Sequence, residues 1–246
     1  MNLLYTTAVL FLLPLFPLSL ITNRVLSALN PRLFSTTLLV LFIVGNILLN
    51  YADIESKTIL FLAIFTILFY SFRLLGVKSL KNFILYLYPI VSSISLVWYM
   101  VGGDVLEILA LKTPVLVLFL TLFTFLSGQF SVIHQKSISG LGGVMPRFSI
   151  LFILSLLGLS SSLFFWGYEL LELEFSKLPL FYTILLIISW IFINWGSIKL
   201  FEWLIYGEYK QDTTYEDLNA WQTLALSLIL FGSAVFFIFY GAKGLV

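Results

Sequence analysis

The residues with the clearest chemical potential in this chain are a few charged side chains set in long apolar stretches. Glu169 follows an apolar run that begins near residue 147, and Lys112 is the second residue of the run LKTPVLVLFL, residues 111–120. Charged groups at such a depth are costly in a membrane and usually mark an ion or proton path. We therefore expect Glu169 to be a protonatable group on a proton path, with Lys112 at the entrance to a polar axis.

Each of these charges also has a purely structural interpretation. Glu169 could form an interhelical ion pair, and Lys112 could lie at a helix end with its ammonium reaching the membrane surface. Lys199 and Glu202 are three residues apart and would form a local ion pair on one helix face. Both are secondary candidates for the path, as is His134, the only histidine, in a polar loop.

The composition excludes several kinds of chemistry for this chain. It has no cysteine, so it forms no disulfide and ligates no iron–sulfur cluster or thiolate zinc site. No G-x-G-x-x-G follows a strand, and there is no P-loop. The net charge of +1 leaves no basic face for nucleic acid. We expect this chain itself to bind no cofactor.

The composition of the chain indicates an integral membrane protein. Of its 246 residues 61% are hydrophobic and 10% are charged, against roughly 25% charged in a soluble domain. Long continuous apolar runs favour helices over a barrel, so we predict an all-α fold with one polytopic membrane domain over residues 1–246. The sixth span, with Ser160–Ser162 in its middle, should be tilted or broken. The eight predicted spans are residues 3–22, 34–51, 58–76, 82–102, 111–134, 147–175, 179–206 and 219–242.

The first span and the loop charges predict an orientation. The first span contains Pro14 and Pro17 and has no basic segment before it, so we interpret it as a membrane helix and not as a cleaved signal peptide. Basic residues dominate the loops after spans one, three and five, which predicts that these loops face the cytoplasm or the mitochondrial matrix. Both termini then face the opposite side. The acidic loop after span seven departs from this pattern.

Short motifs follow one another in a particular order along the second part of the chain. They are His134-Gln135-Lys136, Leu141-Gly142-Gly143, Met145-Pro146, Gly158-Leu159-Ser160-Ser161, Phe165-Trp166-Gly167-Tyr168-Glu169, Ser197-Ile198-Lys199-Leu200-Phe201 with Tyr206-Gly207, and Asp217-Leu218-Asn219. Their order and spacing resemble the antiporter-like membrane subunits of respiratory complex I, in particular the C-terminal half of subunit 4 of NADH:ubiquinone oxidoreductase. With Lys78-Ser79-Leu80-Lys81-Asn82, Tyr86 and Ser92-Ser93, the resemblance extends over about residues 70–246.

The resemblance implies roles for individual residues, and the chain also differs from the family at some functional positions. It implies that Glu169 is the glutamate of the family's twelfth helix, although an ungapped match displaces it by one residue. The histidine of the eleventh helix would fall near Val115, and Lys112, one turn upstream, could replace it. The spans would match helices seven to fourteen of a fourteen-helix subunit. A glutamate and a lysine of the family's first half are missing, which implies a split subunit or a reduced one.

The resemblance implies a membrane-arm subunit of complex I that contributes to proton translocation coupled to electron transfer. The chain would be an enzyme only as part of that assembly. NADH, flavin, iron–sulfur clusters and quinone would lie in partner subunits, and a separate chain could supply the missing half. We expect the mitochondrial inner membrane, with a bacterial plasma membrane as the alternative. Two other functions stay open: a structural subunit that has lost pumping, and a subunit of a cation/proton antiporter or membrane-bound hydrogenase.

Overall fold

A computed structural model describes residues 2–52, 54, 56–129, 138–160, 178–206 and 215–243. Two of the predicted site residues, His134 and Glu169, lie outside these ranges. So do Ser161 and Ser162 of the predicted helix interruption.

The described residues form ten α-helices. Five of them are long and apolar enough to cross a membrane, and two shorter apolar helices accompany these five. The predicted all-α integral membrane class is confirmed. In chain order the helices are α1 (Asn2–Leu12), α2 (Leu18–Ala28), α3 (Pro31–Leu49), α4 (Lys57–Leu74), α5 (Leu80–Met100), α6 (Val105–Gln129), α7 (Leu141–Val144), α8 (Pro146–Leu159), α9 (Leu180–Ile205) and α10 (Ala220–Lys243).

The first predicted span, residues 3–22, is not one helix. The helix α1 ends at Leu12, and α2 begins only at Leu18. Pro14 and Pro17 lie between them, and proline has no backbone N–H and disfavours the helical conformation in the residue before it. The two prolines therefore interrupt the span and do not merely kink it.

The neighbouring helices bind the backbone polar groups of this first interruption. The hydroxyl of Tyr88 in α5 donates to the Leu12 carbonyl at 2.6 Å. The Phe16 N–H donates to Oγ1 of Thr66 in α4 at 2.9 Å. Irregular backbone at membrane depth requires such partners, because lipid tails provide none.

The helix α6 begins earlier than the predicted span 111–134. Asp104 lies just before its first residue, Val105, and Asp104 Oδ1 accepts the N–H of Leu106 at 2.9 Å. A carboxylate that binds a free N–H group of the first turn favours a helix start at this point. The predicted start at residue 111 would have placed Pro114 in the first turn, but Pro114 lies inside the helix.

The structure agrees with the predicted interruption of the sixth span as far as the residues of that span are described. The helix α8 ends at Leu159, and Ser160 lies in a turn. Residues 161–177 are outside the described ranges, so only the beginning of the interruption is defined.

The helix α5 is the most enclosed of the five long helices. Within its most apolar 18-residue window 83% of residues are buried, against 33% for α9. It packs on α4, which in turn packs on α9. The helix α6 contacts α3, α8 and α10, and the rings of Phe119 in α6 and Phe152 in α8 lie 5.0 Å apart between centroids. The contact between α6 and α8 places Lys112 of α6 beside the end of α8.

The predicted orientation can be tested by single cysteines, because the chain has none of its own. Lys78 and Asp104 are both exposed and lie at opposite ends of α5. We expect a membrane-impermeant maleimide to label Lys78→Cys only from the cytoplasmic or matrix side, and Asp104→Cys only from the other side. Labelling of both variants from one side would contradict the orientation.

The turn between α5 and α6 predicts a strong effect of one added methyl group. Gly103 lies against the indole of Trp98, so a Cβ at position 103 would overlap with that ring. We expect Gly103→Ala to lower the free energy of unfolding by about 1–3 kcal/mol through overpacking, measured by thermal unfolding in detergent. Gly76 has no atom within 4 Å of an added Cβ, so Gly76→Ala is the matched control and should unfold like the wild type.

Candidate functional site

The centre of the candidate site is Lys112, a lysine buried inside α6. Its side chain is 1% exposed. It lies about 10 Å along the helix axis from Val105, at about 1.5 Å per residue. The interpretation of Lys112 as a helix-end lysine that reaches the membrane surface is therefore wrong. An ammonium at this depth needs compensation from the protein.

The end of α8 provides part of this compensation. Lys112 Nζ donates to the carbonyl of Gly158 at 3.3 Å. Gly158 lies in the last turn of α8, where the carbonyl groups have no partner within the helix. The helix dipole also places partial negative charge at this end. The ammonium thus lies where an α-helix favours a cation.

Further polar atoms lie on the same turn of α6 as Lys112. Pro114 has no N–H, so the carbonyl of Ala110 loses its usual partner four residues along the helix. The Oγ1 of Thr113 is buried and has no hydrogen-bond partner among the described residues. These oxygens sit in a part of α6 whose other side chains are apolar.

The opposite end of α8 carries a carboxylate. Asp217, in the segment before α10, accepts the N–H groups of Arg147 at 3.1 Å and Phe148 at 3.0 Å. The guanidinium of Arg147 donates to the carbonyl of Leu218 at 3.2 Å. An acid at the N-terminus and a base at the C-terminus both complement the helix dipole, so α8 carries a favourable charge at each end.

Sequence reasoning missed this role of Asp217. The run Asp217-Leu218-Asn219 was noticed only as part of a family resemblance. Asn219 has a function of its own: its Oδ1 accepts the N–H of Gln222 at 2.8 Å, and Gln222 Oε1 accepts the N–H of Asn219 at 3.0 Å. This reciprocal pair caps the start of α10. One short run therefore caps two helices.

Lys199 and Glu202 do not form the local ion pair that their spacing suggested. Lys199 Nζ instead donates to the carbonyl of Leu75, just after α4, at 3.0 Å. Glu202 is exposed. The contact between α4 and α9 thus directs the lysine across the helix interface and not along its own helix.

A second group of buried polar atoms lies on α3 and α5. The hydroxyl of Ser93 and the Oδ1 of Asn46 are buried without a hydrogen-bond partner among the described residues, and the buried hydroxyl of Ser92 lies next to that of Tyr88. Buried polar groups are nearly always hydrogen-bonded, often to ordered water. The arrangement favours water within the helix bundle near the middle of α5. Sequence reasoning noted these serines only as a family motif.

The described residues contain no group of three or more His, Cys, Asp and Glu side chains that could hold a metal ion. His134 and Glu169 are outside the described ranges, so their roles stay predictions. The structure brings neither Lys199 nor Glu202 to Lys112 among the contacts it describes.

Two solved structures share the fold of this chain. The first is respiratory complex I from Thermus thermophilus with bound NADH: a chain of it aligns with 96% of this chain at a TM-score of 0.72 and 16% identity. The second is the same complex with bound aureothin, which aligns with 95% of this chain at a TM-score of 0.76 and 15% identity. No protein-family model and no curated protein matches the sequence.

The chain spans 57% and 55% of the length of these two neighbours. At this level of sequence identity the likeness establishes the fold. The chain therefore shares the fold of part of a chain of respiratory complex I.

The Asp217 cap predicts a local effect on α8. Replacing Asp217 with Ala removes both acceptors of the first turn, and we expect the N-terminus of α8 to lose about 1–2 kcal/mol of stability. Hydrogen exchange of the Arg147 and Phe148 amides should then accelerate roughly tenfold. Asp217→Asn keeps one acceptor and should show a smaller effect. Glu216 contributes only its backbone carbonyl, to Gln129, so Glu216→Gln is the control; unchanged exchange in Asp217→Ala would contradict the cap.

Proposed function

We propose that this chain is a membrane-arm subunit of a respiratory complex I, and that it contributes to proton translocation. The observation that carries the proposal is the likeness of 95–96% of the chain to chains of that complex, together with a lysine buried at the end of an interrupted helix. The sequence motifs support the same family independently of the fold.

The finer assignments rest on the motifs. They favour subunit 4 of NADH:ubiquinone oxidoreductase, in a mitochondrial inner membrane. The partners would be the other membrane-arm subunits and whatever part of the assembly supplies the first half of the antiporter-like fold. Electron transfer through NADH, flavin, iron–sulfur clusters and quinone would take place in those partners.

In this proposal Lys112 is a group that gains and loses a proton. As a cation it is attracted by the C-terminal carbonyls of α8; as a neutral amine it is not. Each change of its charge alters the electrostatic potential where α8 ends, just before residues 161–177. A nearby positive charge favours an ionised carboxylate, and Glu169 follows Gly158 by eleven positions in the sequence. The proton occupancies of Lys112 and Glu169 would be coupled in this way.

Water is the remaining requirement for such a path. The buried hydroxyls of Ser93 in α5 and Thr113 in α6, which have no partner among the described residues, are acceptors and donors for water molecules. They support the presence of water inside the helix bundle, which such a path requires.

A scaffold function is the second candidate, and one observation favours it. Lys81 Nζ donates to the carbonyls of Ser27 and Leu29 at the end of α2, both at 2.7 Å. Lys81 thus binds the end of a helix as Lys112 does, but the Lys81 side chain is only half-buried. Lys112 would then be a static cap that holds α8 against α6, with no proton exchange.

Arginine substitution separates the two functions. Arginine keeps the positive charge at the end of α8 but does not release its proton in a protein. For a proton path, Lys112→Arg and Lys112→Met should both lower proton uptake per NADH oxidised in proteoliposomes of the assembled complex, by roughly tenfold or more. Glu169→Gln should act similarly.

Lys81→Arg is the matched control, since it makes the same exchange at another helix end, and it should leave the ratio unchanged. A static cap predicts instead that Lys112→Arg pumps like the wild type while Lys112→Met assembles poorly. Normal pumping in Lys112→Arg and Glu169→Gln together would remove the proton-path proposal.

A further inference from the structure

A groove of about 350 Å³ runs between α3 and α6, away from the Lys112 site. Its rim on α3 consists of Arg32, Ser35 and Thr36. Arg32 is the second residue of α3 and is exposed. Within the part of the chain that the structure describes, its guanidinium has no ion-pair partner. A positive charge is thus held at the mouth of the groove.

Ser35 adds a buried hydrogen-bond donor beside this charge. It is 7% exposed, and its Oγ has no hydrogen-bond partner among the described residues. Ser35 follows Arg32 by three residues, so the two side chains lie on the same face of α3. A buried hydroxyl of this kind requires a partner. An anion bound by Arg32 would be within reach of it.

The threonine hydroxyls of the groove have a different role. Those of Thr36, Thr121 and Thr124 each donate to a backbone carbonyl of their own helix, at 2.7–3.0 Å. Their oxygen lone pairs remain as acceptors. The groove therefore offers donors for an anion at Arg32 and Ser35 and acceptors for hydroxyl groups of a ligand.

The groove changes from polar to apolar with depth. The helix α3 has 19 residues and is about 28 Å long, close to the thickness of about 30 Å of the hydrocarbon core. Its first turn, with Arg32, thus lies at the level of lipid headgroups. One to two turns further along α3 the lining becomes Leu39, and on α6 it becomes Leu120 and Val117. Charge, hydroxyls and then apolar side chains follow one another, as in a phospholipid molecule.

We infer that this groove binds an anionic phospholipid whose headgroup carries hydroxyls, such as phosphatidylglycerol. Arg32 and Ser35 bind the phosphate, the threonine oxygens accept the headgroup hydroxyls, and one acyl chain lies along Leu39 and Val117. A zwitterionic lipid fits less well, because its ammonium group would lie close to Arg32 and the described lining of the groove contains no carboxylate. The inference does not depend on the proposed function.

Native mass spectrometry of the full chain, purified with its partners in mild detergent, tests this site. Synthetic phosphatidylglycerol and phosphatidylcholine are added as probes. We expect phosphatidylglycerol to be retained in preference, and Arg32→Gln to weaken its binding about tenfold, the order expected for loss of a charge-assisted hydrogen bond. Ser35→Ala should weaken it less. Arg24, in α2, is also exposed and is not part of the groove, so Arg24→Gln is the matched control and should bind normally.

A second comparison separates the lipid from a free phosphate. Val117→Phe fills the apolar end of the groove, so it should weaken phosphatidylglycerol binding, and millimolar glycerol phosphate should not displace the lipid. Displacement by glycerol phosphate would point to a soluble phosphate ligand and overturn the lipid site. Equal retention of phosphatidylcholine, equal losses in Arg24→Gln and Arg32→Gln, or a groove covered by a partner protein in the assembled complex would each overturn it as well.

Discussion

The structure around the candidate site depends on the interaction between the Lys112 ammonium and the C-terminal end of α8. A charged residue at the centre of a membrane helix costs on the order of 3 kcal/mol. A helix dipole can stabilise a well-placed cation by up to about 2 kcal/mol, and the hydrogen bond to Gly158 adds to this stabilisation. The compensation is of the same order as the cost, and it requires α8 to end where it does. In a continuous helix the Gly158 carbonyl would also accept the N–H of residue 162, and the partial negative charge of the helix end would no longer lie beside the lysine.

The same interaction recurs at two less buried places. Lys81 binds carbonyls at the end of α2, and Lys199 binds the carbonyl of Leu75 at the end of α4. Both of these lysines are partly accessible to solvent, so water shares in their solvation. Lys112 is 1% exposed, so the compensation of its charge comes from the protein. The three lysines use the same interaction and differ in how much of their solvation the protein provides.

The part of the fold that depends on local composition could be predicted from the sequence. Long apolar runs identified the membrane helices, and the small polar residues at Ser160 coincided with the end of α8. The first interruption was missed because Pro14 and Pro17 were interpreted as residues of one continuous helix. The early start of α6 was missed because the capping role of Asp104 was not recognised. Both signals are present in the sequence.

The contacts of the site could not be predicted in this way. Lys112 and Gly158 are 46 residues apart, and Asp217 is 70 residues from Arg147. No helical periodicity or cap pattern reports a contact at such a separation. The spacing of Lys199 and Glu202 suggested a local pair, but packing of α9 on α4 provided a closer partner for the lysine. These pairings depend on tertiary contacts, and such contacts cannot be inferred from a single sequence.

The most direct test is a high-resolution cryo-EM map of the assembled complex around α6 and α8. The central claim predicts Lys112 Nζ at hydrogen-bond distance from the Gly158 carbonyl, with ordered water next to Thr113 Oγ1 and continuing toward residues 161–177. A Lys112 side chain that turns toward lipid, or a continuous helix through Ser160 that leaves the Gly158 carbonyl bonded within α8, would contradict it.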